Sequence, residues 1–89
     1  MRAVLTVIGK DTVGILAKVS AKCAESNVNI IEVTQAVLQN IFCMIMICDI
    51  EKMSVSFDAF ADTLSAFGEE ENLKVHVMHE DIFNSMHRI

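Results

Sequence analysis

Proline occurs nowhere in the 89 residues, and neither a proline-rich linker nor any other low-complexity stretch divides the chain. The length leaves room for one domain, since compact domains run from about 50 to about 250 residues. Basic residues are scarce, seven against twelve acidic ones, and the formal charge of -5 has the wrong sign for a surface that gains affinity by neutralising phosphates. Nucleic acid is therefore not an expected partner. Long apolar runs are missing too. The uncharged stretch from Val33 to Cys48 falls short of the ~18 apolar residues of a membrane span and is broken by Thr34, Gln35, Gln39 and Asn40. Met1-Arg2-Ala3 passes straight into alternating residues with no apolar signal segment, so a cytoplasmic location, away from any membrane, is expected. The three cysteines, Cys23, Cys43 and Cys48, are odd in number and show no CxxC spacing. Neither a disulfide framework nor a zinc site is indicated, and all three read as reduced, inert, mostly buried thiols.

Apolar residues are what the chain has in excess, at 53% with a mean hydropathy of +0.45. A small domain buries a modest share of its surface in its own core. A homodimer or higher homo-oligomer is therefore expected.

Arg2 to Ile8 alternates, with Ala3, Leu5 and Val7 on one face and Val4, Thr6 and Ile8 on the other, which predicts a first strand. Gly9-Lys10-Asp11-Thr12 breaks the alternation, and Asp11 or Thr12 suits the cap of a helix predicted over Val13 to Glu25, with Gly14 in its first turn. Leu16, Val19 and Cys23 recur there at helical spacing, while Lys18, Lys22 and Glu25 fall on other faces. Val28 to Leu38 and Ile41 to Glu51 are β-rich runs joined by Gln39-Asn40, where asparagine tolerates the positive φ of a tight hairpin. The second of these runs is apolar on both faces, Ile41, Cys43, Ile45 and Ile47 against Phe42, Met44, Met46, Cys48 and Ile50. Helices on one side of a sheet would leave one of those rows wet, so a partner chain or the C-terminal tail is expected to cover it.

Ser54-Val55-Ser56 opens a second helix, in which Phe57, Phe60, Ala61, Leu64 and Phe67 keep i, i+3, i+4, i+7 spacing and Gly68 is placed to close it. Glu69-Glu70-Glu71 reads as solvated charge between elements. Leu73, Val75 and Val77 alternate with Lys74, His76 and Met78 as a fourth strand. A tail from His79 to Ile89 puts Ile82, Phe83 and Met86 on one helical face, with Asp81 near its start and His87-Arg88 near its end, as the helix dipole prefers. The order is βαββαβ plus a short C-terminal helix. It predicts an α+β, ferredoxin-like sandwich with two helices on one face of a four-stranded antiparallel sheet, a fold that hosts many functions and names none.

One stretch is more specific. The first strand running into Gly9-Lys10-Asp11-Thr12-Val13-Gly14-Ile15-Leu16, a helix, and then Asn27-Val28-Asn29-Ile30-Ile31 resembles the ACT domain. ACT domains carry an Asp-x-Pro-Gly-Ile/Leu stretch in the first loop and an Asn-Ile pair opening strand two. Asp11, Gly14 and Ile15 match the former, and Asn29 and Ile30 match the latter. Val13 replaces the usual proline, so this loop lacks a pre-set φ and keeps one more amide donor. Over its whole length the chain is similar to a family of small bacterial proteins made of a single ACT domain. The resemblance implies two chains set side by side or back to back, with an amino acid or similar effector held between them by Asp11, Thr12, Val13, Gly14, Ile15, Asn29 and Ile30. Helix amides would attract its carboxylate, Asp11 would take an ammonium, Gly14 lets backbone approach closely, and Asn29 both donates and accepts.

Each of these residues also has a plainer explanation. Asp11 and Gly14 suit an ordinary helix cap and turn, Asn29 satisfies loop backbone, and Ile30 suits the core. His76 and His79, an odd number of residues apart on a strand, point to opposite faces, which opposes a metal site. The tail groups His79, Glu80, Asp81 and His87 are accounted for by a capped helix, and Met44, Met46 and Met78 by adaptable packing. Neither metal nor cofactor is expected. No Ser/His/Asp or Cys/His set is legible, and acylphosphatase, the enzyme of this fold to compare, would hold phosphate with a basic first-loop residue. Lys10 is the sole candidate there, and Asp11 beside it argues against it. The expectation is a non-enzymatic sensor of a small molecule that acts on another protein. A ligand-free dimerisation or adaptor module is the alternative.

Overall fold

The computed structural model describes residues 1–10 and 14–86. Its elements follow the order β1 (Arg2–Lys10), α1 (Ile15–Glu25), β2 (Asn29–Leu38), β3 (Ile41–Asp49), α2 (Phe57–Glu70), β4 (Leu73–His79) and α3 (Glu80–Met86). The strands form one sheet in the order β2-β3-β1-β4, with every neighbouring pair antiparallel. This is the ferredoxin-like arrangement with a short helix appended.

Strand periodicity explains how the core is built. Ala3, Leu5 and Val7 of β1 lie opposite Cys48, Met46 and Met44 of β3, and all six are buried. From above, α1 contributes Ile15, Val19 and Cys23, and α2 contributes Phe60, Leu64 and Phe67, to the same cluster. Gln39 and Asn40 both take positive φ, 50° and 70°, which is the signature of a tight two-residue hairpin turn whose twist matches the flanking strands. Ser56 caps α2 by accepting a 3.1 Å hydrogen bond from the Ala59 amide.

Some boundaries differ from the sequence expectation. Helix α1 begins at Ile15 and its N-cap is Gly14, at φ 80°; the cap expected from Asp11 or Thr12 falls, like Val13, outside the described residues. Gly68 does not close α2, which runs on to Glu70 with Glu71 as its C-cap. A Cβ at Gly68 would stand 2.8 Å from the Leu73 carbonyl oxygen and 2.9 Å from Val75 Cγ2, so glycine here allows the close approach of α2 to β4. Accordingly, Glu69 and Glu70 belong to the helix, and Glu71 holds Lys18 of α1 at 2.6 Å.

Among the described residues, the outer face of the sheet is covered at one end only. Val4 points away from α1 and α2 yet is 2% exposed, because α3 packs against β1 and β4. Toward the other end Ile8, Ile41 and Ile45 stay 39–47% exposed, so the tail covers part of the row that the sequence requires to be covered. The cysteines divide the same way. Cys23 and Cys48 are buried and Cys43, on the outer row, is half-buried. Cys48 is hydrogen-bonded to Cys23, and that bond, with burial, pushes its thiol far above the ordinary range. A thiol reagent added to the native protein is expected to label Cys43 first, with Cys23 and Cys48 reacting only on unfolding. Two fast-reacting thiols by mass spectrometry would contradict this arrangement.

Candidate functional site

Two surface features coincide with the ligand residues expected from the sequence. The first lies where β1 hands over to α1. Gly14 adopts a left-handed conformation that other residues enter at a cost, and among the described residues other than its chain neighbours no atom lies within 4 Å of the position a Cβ would take. The first helical bond runs from the Lys18 amide to the Gly14 carbonyl at 3.0 Å. The N-cap residue, a glycine, offers no side chain to the first helix amides, and such amides, with the positive end of the helix dipole, are the kind of group that attracts an anion.

The second feature is a cleft of about 480 Å³ lined by Ala24, Asn27, Val28, Asn29, Asp49, Glu51 and Lys52, within the size range of small-ligand sites. Its walls are braced. Asn27, at φ 58°, donates from Nδ2 to the Lys52 carbonyl at 2.7 Å, and the Ser54 amide donates to the Ser26 carbonyl at 3.0 Å. Asp49 Oδ1 accepts from the Glu51 amide at 2.9 Å. Asn29 and Asp49 are directly opposed in the β2–β3 register, which brings their side chains together on one face. Arg2 is the neighbour of Asp49 on the other side, but its guanidinium is turned to Glu80 at 3.4 Å.

These features lie at opposite ends of the sheet. Lys10, just before the first loop, pairs with Ile41 at the start of β3, whereas Asn29 pairs with Asp49 at its end. Nine residues of strand separate the two ends by about 25 Å at ~3.3 Å per residue. One chain therefore does not bring Gly14 and Ile15 together with Asn29 and Ile30. Gly14 and Asn29 are exposed, whereas Ile15 is buried and Ile30 is half-buried against the core. Asp11, Thr12 and Val13 lie outside the described residues.

Of the residues set aside in the sequence, His76 pairs across from Thr6 and His79 from Ala3, on opposite faces. His79 packs on the Phe57 ring at 5.5 Å, Glu80 is bound to Arg2, Asp81 is exposed, and His87 lies outside the described residues. Among the described residues no three His, Cys, Asp or Glu side chains gather as a metal site, and no helix is long and apolar enough to cross a membrane. Sequence reasoning did not single out Asp49, Glu51 and Lys52. Their one local signal is the run of polar residues that ends the apolar strand β3.

The chain matches the family model of the ACT domain over residues 2–78. It is 51% identical to a UPF0237 protein of Listeria innocua, with all of both chains covered, and 46% identical to one of Methanocaldococcus jannaschii, covering 99% of this chain and 98% of that one. The likeness thus extends beyond bacteria. Among solved structures, an ACT domain protein from Streptococcus pneumoniae superposes with a TM-score of 0.82 at 36% identity, covering 93% of each chain.

Proposed function

Because this chain belongs to the ACT domain family, a family of regulatory ligand-binding domains, we propose that it is an amino acid sensor that works as a homodimer without catalysing a reaction. The observation that carries this reading is the relation of the two half-sites to the free edge of β2. Among the described residues this edge strand has no neighbour on one side; it spans ten residues and carries a single charge, Glu32, beside a bulge. Its Val37 and Leu38 are 58% and 65% exposed. A long, weakly charged edge strand invites a further strand, and a second copy is the simplest donor. Antiparallel pairing of β2 with itself about a two-fold axis sets the Asn29 end of one chain beside the Leu38 end of the other, the end where Gly14 lies. The effector is then bound by Asp11 to Ile15 of one chain and by Asn29 and Ile30 of the other.

Ile8, Ile41 and Ile45 on the uncovered part of the outer face form the surface offered to a regulated protein, and the same patch is what favours the adaptor reading. The free thiols suit a reducing compartment, the cytoplasm. A thermal-shift and calorimetric survey of the proteinogenic amino acids distinguishes the two readings. A sensor is expected to show stabilisation by at least one of them, through mass-action linkage. That response should be lost in Gly14→Leu and retained in part in Gly14→Asn, which tolerates positive φ. An adaptor shows no response to any amino acid.

A further inference from the structure

We propose that the outer face of the sheet has two seats for a short acidic helix, that α3 fills one, and that the other receives an acidic amphipathic helix of a second protein. The assignment rests on the outer patch offered to a regulated protein and adds the chemistry of that partner. Val4 faces outward and side chains alternate along a strand, so β1 presents Arg2, Val4, Thr6, Ile8 and Lys10 on this face. The row reads the same from either end: a cation, an aliphatic residue, a central threonine, an aliphatic residue and a cation. At the first end the seat is filled. There α3 packs on β1 and β4, Val4 is buried, and Glu80 in the first turn of α3 meets the Arg2 guanidinium at 3.4 Å. At the other end Ile8 and Lys10 are exposed. Directly opposed residues share a face, which sets Lys74 and Cys43 on either side of Ile8, and Ile41 beside Lys10. The sheet rows at this end carry the cations Lys10 and Lys74 and no carboxylate, in a chain whose net charge is -5. Among the described residues neither lysine has an ion-pair partner. Ile8, Ile41 and Ile45 offer apolar surface to one side of a helix, and the lysines attract carboxylates in its first turn as Arg2 attracts Glu80. The chain's own α3 does not reach this seat, because it starts directly after His79, which pairs with Ala3 at the filled end. A second copy holds its α3 on its own sheet in the same way, so the occupant comes from a different protein.

The probe is a synthetic peptide of two tandem copies of the α3 sequence, Glu80–Met86, titrated into the full chain by NMR. It is expected to move the amide signals of Ile8, Cys43 and Lys74 and to leave those of Val4 and Met78 in place. It should also slow alkylation of Cys43, which is half-buried in the same row. In the double variant Lys10→Glu, Lys74→Glu, changed at two exposed positions, affinity should fall at least about five-fold, since the attraction of exposed ion pairs is replaced by repulsion. The same peptide with its carboxylates replaced by amides should bind the parent more weakly than the acidic one. Equal binding of the neutral peptide, or parental affinity in the double variant, would overturn the acidic partner while leaving the outer patch as a docking surface. No response to either peptide at Ile8, Cys43 and Lys74 would overturn the docking surface as well. Shifts at Val4 and Met78 would mean that the peptide displaces α3 and that no second seat exists. Assembly beyond two chains in sedimentation, abolished by Ile41→Asp, would give the seat to a second copy and overturn the assignment. The amino acid survey is read separately, so none of these outcomes decides the sensor reading.

Discussion

Phe60→Ala is expected to lower the melting temperature by more than about ten degrees at fixed chain concentration, with a loss of about 3–5 kcal/mol. Phe60 is completely buried and lies on the face of α2 that meets the sheet, in the cluster that joins α1, α2 and all the inner strand rows. Truncation removes a large apolar contact and leaves a cavity that the neighbouring strands, fixed by pairing on both sides of β1 and β3, fill poorly. Domains of this size are stable by roughly 0.05–0.15 kcal/mol per residue, so the loss is a large part of the total. Calorimetry measures it. A shift of only a few degrees would mean that the α2 interface is not the main source of stability.

The second large effect concerns assembly. Lysine at both Thr34 and Gln35, exposed positions in the middle of β2, is expected to convert a two-chain species to a single chain in sedimentation at micromolar concentration. A two-fold axis through the middle of the strand crowds the four added lysines of the two chains around it, and like charges brought together across strands are destabilising. Circular dichroism should be unchanged, because neither side chain is buried. Amino acid binding should fall with the loss of the dimer. A two-chain mass retained by the double lysine variant would move the interface to the outer face, around Ile41 and Ile45.

Most of the fold was legible in the residues because binary patterning and turn chemistry agree. The alternation of Arg2 to Ile8, the Phe57 to Phe67 stripe and the Gln39-Asn40 turn all specify their elements locally. The corrections come where tertiary packing decides. Gly68 has the composition of a helix end, yet its role is the close contact with Leu73 and Val75, which no local pattern announces. The meeting of Cys23 with Cys48 depends on which part of the sheet α1 crosses. For the site, the residues matching the family motif were visible, but their separation was not: Gly14 and Asn29 are 15 positions apart in sequence and lie at opposite ends of the sheet only because α1 runs back along it. Asp49 and Glu51 were missed because carboxylates at the end of a strand look like ordinary solvated charge until the cleft brings Asn29 beside them.

A mixing experiment tests the two-chain site most directly. Gly14→Leu and Asn29→Leu each damage a different half, so each variant alone should fail to bind the amino acid that most raises the melting temperature of the parent. Combined and allowed to exchange chains, they regenerate one intact site in every mixed dimer, made of the unmodified first loop of one chain and the unmodified Asn29 of the other. Calorimetric titration of the mixture is therefore expected to recover binding at parental affinity, with fewer sites than the parent has. If the exchanged mixture binds no better than the separate variants, the site does not lie between chains.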